Sequence, residues 1–115
     1  MSLEMNHHID NGVMVVAPAG DINSATARDF GAYLKDAIDN ANQAYVILDM
    51  SNVRYMSSAG LREIVSGLKK AKKLDGDLHI AGVQGRLQPV FEMVGLDSLS
   101  TFFPTVRDAV ASFSA

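Results

Sequence analysis

Between residues 45 and 48 the chain runs Tyr-Val-Ile-Leu without a polar interruption, and Asp49 ends the run. A strand with one face in water alternates apolar and polar side chains, so an unbroken apolar run of this length reads as a strand covered on both faces. That reading constrains the fold more than any other feature. It places the strand at the centre of a sheet and demands helices above and below it.

The flanking sequence supplies those helices. Phe30, Tyr33, Leu34, Ala37, Ile38 and Ala41 recur at helical spacing, with Asn23 or Ser24 available as a cap and an end expected near Asn42. From Gly60 onward Leu61, Ile64, Val65, Leu68, Ala71 and Leu74 repeat the pattern, while Arg62, Glu63, Ser66, Lys69 and Lys73 face elsewhere. Asp75-Gly76 breaks this second helix.

Shorter signals complete the order. Val13 to Ala17, closed by Pro18 and Gly20, reads as a strand that pairs with Met5 to Ile9 across an Asp10-Asn11-Gly12 turn. Leu78 to Val83 is a further strand, ending at Gly82. Leu87, Val90, Phe91 and Val94 mark a short helix with Pro89 in its first turn and Gly95 as a left-handed cap. Leu99 to Phe103 reads as a last strand stopped by Pro104, and Thr105 with Asp108 opens a final helix carrying Val106, Ala109, Val110 and Phe113. Strands separated by helices imply right-handed crossovers, hence a single α/β domain with a mostly parallel mixed sheet of about five strands and about four helices.

At 115 residues, 48% hydrophobic and 20% charged, the chain has the content of one domain over residues 1–115, with its core at roughly 5–113. No apolar run reaches membrane-spanning length, and the start lacks a charged segment followed by an apolar one, so a soluble cytoplasmic protein without direct membrane insertion is expected. Without cysteine there is no disulfide, thiolate metal site or Cys nucleophile. A net charge of −3 argues against a nucleic-acid partner. Lys69, Lys70, Lys72 and Lys73 read as a solvated helix face, since Asp75 and Asp77 follow and no aromatic residue interleaves.

His7 and His8 are neighbours on a strand, point to opposite faces and cannot chelate together, and His79 reads as a partly buried strand residue. Gly82-Val83-Gln84-Gly85 is too short to cradle a phosphate, and no Gly-x-Ser-x-Gly elbow or P-loop is present. Neither a metal, nor a cofactor, nor an enzymatic activity is expected. Met56 and Met93 read as core filling or as adaptable contacts for a partner.

One segment remains. Residues 49–61, Asp-Met-Ser-Asn-Val-Arg-Tyr-Met-Ser-Ser-Ala-Gly-Leu, follow the central strand and lead straight into a helix, where α/β domains place function. Ser57 or Ser58 there is an N-cap, and the open backbone N–H groups and helix dipole receive negative charge. A phosphate on an exposed hydroxyl would add about −1.5 to −2 charge at that point.

Val46-Ile47-Leu48-Asp49-Met50-Ser51 followed by Tyr55-Met56-Ser57-Ser58-Ala59-Gly60-Leu61 resembles the STAS domain, specifically stand-alone anti-sigma factor antagonists. Gly20-Asp21-Ile22-Asn23, Gly76, Phe91-Glu92-Met93-Val94-Gly95-Leu96 and the element order over roughly residues 5–113 agree with it. The resemblance implies a switch. The unmodified antagonist sequesters an anti-sigma factor serine kinase, that kinase phosphorylates it with ATP, and a PP2C-type phosphatase restores binding. Aligned without a gap, the phosphoacceptor falls on Ser58, with Ser57 as the alternative. Asp21, Asn23, Arg54, Met56, Ser57, Ala59, Gly60, Arg62 and Glu63 then line or flank the partner surface of a monomer or weak dimer. Three positions depart from the family pattern: Ser57 replaces an acidic residue, Ala59 a second hydroxyl, and Asn23 an aspartate. Members without a working acceptor serve as constitutive scaffolds or transporter-associated subunits, which is the alternative function.

Overall fold

The computed structural model describes residues 3–114. Strands β1 (Glu4–Asp10) and β2 (Val13–Ile22) form a hairpin closed by Asn11 and Gly12, both at positive φ (53° and 84°), the two-residue loop whose twist suits paired strands. Helix α1 (Ala27–Asn40), strands β3 (Tyr45–Asp49) and β4 (Asn52–Met56), helix α2 (Ser58–Lys73) and strand β5 (Asp77–Ala81) follow. Helices α3 (Gln88–Met93) and α4 (Leu96–Leu99), the two-residue strand β6 (Phe102–Phe103) and helix α5 (Val106–Ser114) complete the order.

The sheet runs β1-β2-β3-β5-β6, with β4 beside the far half of β2, and only the β1 pairing is antiparallel. The apolar run at 45–48 is its middle strand: Val46, Ile47 and Leu48 have no exposed surface. Helices α1 and α2 cover one face, packing Phe30, Leu34, Ile38, Ile64 and Leu68 on Val16, Val46, Leu48 and Ile80. On the other face Ala109 and Val110 of α5 meet Val13, Val15, Ile47 and Ala81. Each fully buried side chain of this size contributes about 1.5–3 kcal/mol. Gly67 lets α1 and α2 approach closely, because a methyl there would stand 2.8 Å from Leu34 Cδ2.

Six strands and five helices stand among the described residues where about five and four were expected, and the differences have physical causes. Strand β2 continues past Ala17 through Pro18 and Gly20. Its registered pairing with β3 ends at Val16 and that with β4 begins at Ala19, so the missing N–H of Pro18 falls where neither strand is paired to it. The extra strand β4 lies within what reads from sequence as a loop. Leu99, expected to open the last strand, instead ends the one-turn helix α4, leaving β6 as Phe102 and Phe103. Leu74 caps α2 and is half exposed instead of joining its apolar stripe. Pro89 in the first turn of α3, Gly95 at φ 76°, and the Thr105 hydroxyl accepting the Asp108 N–H at 3.1 Å match expectation.

His79 ties α5 to the sheet. Its ring stacks on Phe113, with centroids 4.2 Å apart, and its Nδ1 lies 2.9 Å from Ser112 Oγ. Ser112 in turn donates its hydroxyl hydrogen to the Ala109 carbonyl at 2.6 Å. Nε2 lies 3.4 Å from the Asp77 carboxylate. Burial holds the His79 pKa below its ordinary value, against the opposing pull of Asp77.

Candidate functional site

The segment singled out by sequence lies at the carboxyl edge of the parallel strands. Ser57 is in extended conformation immediately before α2, and all three of its hydrogen-bonding groups are used. Its hydroxyl oxygen accepts the Gly60 N–H at 3.1 Å, its carbonyl accepts the Leu61 N–H at 3.0 Å, and its N–H donates to the Ile22 carbonyl at 2.8 Å. Ser57 is therefore the N-cap. Ser58, the first residue of α2, is exposed and its hydroxyl has no hydrogen-bond partner among the described residues. The ambiguity between the two serines is thus resolved in geometry: one hydroxyl caps, its neighbour faces solvent. Backbone N–H groups of Ser58 and Ala59 open the helix without an acceptor one turn back, which leaves the position favourable to an anion.

The Ser57-to-Ile22 bond joins this turn to the end of β2, so the β2–α1 loop lies alongside. That loop is locked by Asn23 and Thr26. Asn23 Oδ1 accepts the N–H groups of Ala25 at 2.9 Å and Thr26 at 3.0 Å, while Thr26 Oγ1 accepts the Asn23 N–H at 2.9 Å and donates to the Asp21 carbonyl at 2.9 Å. Asn23 thus shapes the turn but caps no helix: α1 begins at Ala27 with Thr26 in the cap position and no side-chain cap bond, so neither Asn23 nor Ser24 is the cap expected from sequence. Asp21 is half-buried and registers with Tyr55 of β4.

In the β2–β4 pairing, Val53 registers with Gly20 and Tyr55 with Asp21, which makes Arg54 the extra residue of a bulge. The bulge breaks strand alternation and turns Arg54 and Tyr55 both outward, with Tyr55 51% exposed. Tyr55 was absent from the expected partner surface, and nothing in residues 52–56 announces a bulge.

Met56 and Gly60 do not present themselves to a partner as expected: both are buried. Met56 ends β4 facing the core, and Gly60 packs on it so closely that a methyl at Gly60 would stand 2.5 Å from Met56 Sδ and 2.6 Å from Ile22 Cγ2. Met93 has the opposite character, 81% exposed at the end of α3. Ala59 is half-buried beside Ser58, and Arg62, one turn on, is exposed. Glu63 lies across Gly31 of α1 and pairs with Lys35 at 3.3 Å, so its carboxylate is engaged between helices. Asp49 accepts the N–H and hydroxyl of Ser51, which shapes the turn into β4.

No group of three or more potential metal ligands is gathered among the described residues, and none of their helices is long and apolar enough to cross a membrane. What the fold and this edge define is a small α/β domain with a rigid, polar face built from two adjacent loops and a serine-opened helix.

The chain belongs to the STAS domain family, whose family model matches residues 4–109. It is 30% identical over 105 residues to BtrV of Bordetella bronchiseptica, described as a candidate anti-sigma factor antagonist, covering 91% of this chain and 87% of that one. To the anti-sigma F factor antagonist of Paenibacillus polymyxa it is 25% identical over 110 residues, covering 96% and 92%. The crystal structure of an anti-sigma factor antagonist from Mycobacterium paratuberculosis superposes with a TM-score of 0.89 at 23% identity, covering 99% of this chain and 96% of that one.

Proposed function

We propose that the protein is an anti-sigma factor antagonist: a non-enzymatic cytoplasmic module that sequesters an anti-sigma factor serine kinase and is released from it by phosphorylation of Ser58. The observation that carries the reading is the division of labour between the serines. A kinase needs a hydroxyl it can reach, and Ser58 is exposed while the Ser57 oxygen is spent on the helix cap. The names of the Bordetella and Paenibacillus relatives support the antagonist role.

The partner surface in this reading comprises Asp21, Asn23, Arg54, Ser57, Ser58, Ala59 and Arg62, joined by Tyr55, with Glu63 flanking it in its pair with Lys35 and Met56 and Gly60 shaping it from beneath. Phosphate on Ser58 sits at a helix N-terminus, which tolerates the added charge within the domain. The penalty arises when a partner must bury that charge. A coupling of about 1–3 kcal/mol lowers partner affinity roughly 5- to 150-fold, and a PP2C-type phosphatase reverses it.

The test is phosphorylation by an anti-sigma factor serine kinase captured by this protein, with phosphosites mapped by mass spectrometry. Ser58→Ala is expected to abolish incorporation. Incorporation that survives Ser58→Ala and disappears in Ser57→Ala overturns the site, and partner affinity unchanged by stoichiometric phosphate overturns the switch.

A further inference from the structure

Strand β1 is an open edge. It pairs with β2 from Glu4 to Asp10 without a bulge, and it is the outermost strand of the sheet. Five consecutive residues, Asn6 to Asp10, are exposed, including Ile9 at 59%. Edge strands are ordinarily protected by a lysine or proline, a bulge, extreme shortness or a covering element. This seven-residue strand contains neither lysine nor proline, and its two charged residues, Glu4 and Asp10, stand at its ends, leaving Met5 to Ile9 without a charge of fixed sign.

The hairpin determines which backbone groups are free. A two-residue loop with both residues left-handed closes on a hydrogen-bonded pair, here Asp10 and Val13. Alternation then turns the N–H and C=O groups of Asp10, His8, Asn6 and Glu4 toward β2, and those of Ile9, His7 and Met5 outward.

We propose that β1 docks a second copy of this chain, pairing with its own counterpart antiparallel about a two-fold axis through Asn6. A two-fold perpendicular to the sheet keeps like faces together, so opposed residues must share a face and the axis must pass through a residue. An axis through His7 sets Glu4 against Asp10 twice, two like-charge pairs. An axis through His8 runs the pairing into the hairpin loop. Through Asn6, Glu4 faces His8 of the other copy twice, so an imidazole N–H meets a carboxylate on each side, Leu3 lies across from exposed Ile9, and Met5 and His7 exchange their outward backbone bonds. The complementarity is to this strand's own sequence, which makes a second copy the occupant.

The chain has no cysteine, so a single engineered one reports the register. At the axis, opposed residues of a non-hydrogen-bonded pair have Cα atoms about 4.5 Å apart, within disulfide reach. Asn6→Cys is expected to form an interchain disulfide about tenfold faster than His8→Cys, whose counterpart lies opposite Glu4. In sedimentation equilibrium the unmodified protein is expected to self-associate, Glu4→Lys to weaken that association about tenfold, and Glu4→Lys with His8→Glu to restore it. A protein that stays monomeric up to about millimolar concentration overturns the proposal, as does equal cross-linking of the two cysteine variants.

Discussion

The Ser57 hydroxyl oxygen accepts the Gly60 N–H at 3.1 Å, leaving Ser58 beside it as the serine whose hydroxyl faces solvent. Removing each hydroxyl therefore has a different cost. Ser57→Ala deletes a helix cap and is expected to lower stability by about 1 kcal/mol, whereas Ser58→Ala should stay within about 0.5 kcal/mol. Urea unfolding of the two variants measures this, and a larger loss from Ser58→Ala would contradict the assignment of the cap.

Gly60 packs on core atoms and Gly31 on the long, partly exposed Glu63 side chain, and this separates two otherwise similar substitutions. Gly60→Ala drives a methyl into Met56 and Ile22 and should cost about 1–3 kcal/mol despite the gain in helix propensity. In Gly31→Ala the obstructing group is the Glu63 carboxylate, which can swing away into solvent, so the net change should lie within about 1 kcal/mol. Thermal melts that rank the two the other way would show that the packing under Ser58 is looser than described.

His79 makes stability depend on acidity. Its pKa is lowered in the folded state, chiefly by burial, so below the ordinary histidine value of about 6.5 the unfolded chain binds the proton more readily. The stabilising contribution of the neutral ring is fully present above that value and is lost as pH falls through the folded pKa. Unfolding midpoints should drop more steeply between neutral and mildly acidic pH for the unmodified protein than for His79→Gln. Parallel curves would remove His79 from the cause.

Arg62 and Glu63 are adjacent in sequence but differ in freedom. Arg62 is exposed and forms no ion pair among the described residues, which leaves it available to a partner, while Glu63 is held by Lys35. Arg62→Ala should weaken binding of the anti-sigma factor about tenfold or more in calorimetric titration. Glu63→Ala should act mainly by losing a half-exposed ion pair, with stability changed by less than about 1 kcal/mol. Equal losses of affinity would place Glu63 in direct contact with the partner.

Those elements whose residues carry strong local rules were legible before the structure. The doubly covered strand at 45–48, the two long amphipathic helices, Pro89 and Gly95 around α3, and the Thr105 cap all follow from burial, period or backbone geometry. Elements set by tertiary context were not. Strand β4 buries only Val53 and Met56 of its five residues, and its bulge at Arg54 destroys the alternation that would have marked it. Pro18 reads as a stop in isolation, yet it stands where β2 changes neighbours. At the site, sequence offered two serines and one cap. Choosing between them required knowing which residue begins the helix, a matter of one position. For Met56 the sequence left core filling and partner contact both open, and burial decides for the core, because a residue adjoining a loop is exposed or buried according to the strand beneath it.

The bulge in β4 has a further consequence for how such modules diverge. It sets Arg54 and Tyr55 outside the core while Val53 and Met56, on either side, hold the strand down. Exposed and buried letters are thereby written on separate residues of a five-residue strand. Substitutions at Arg54 and Tyr55 can therefore change the chemistry of that surface without disturbing the packing beneath it.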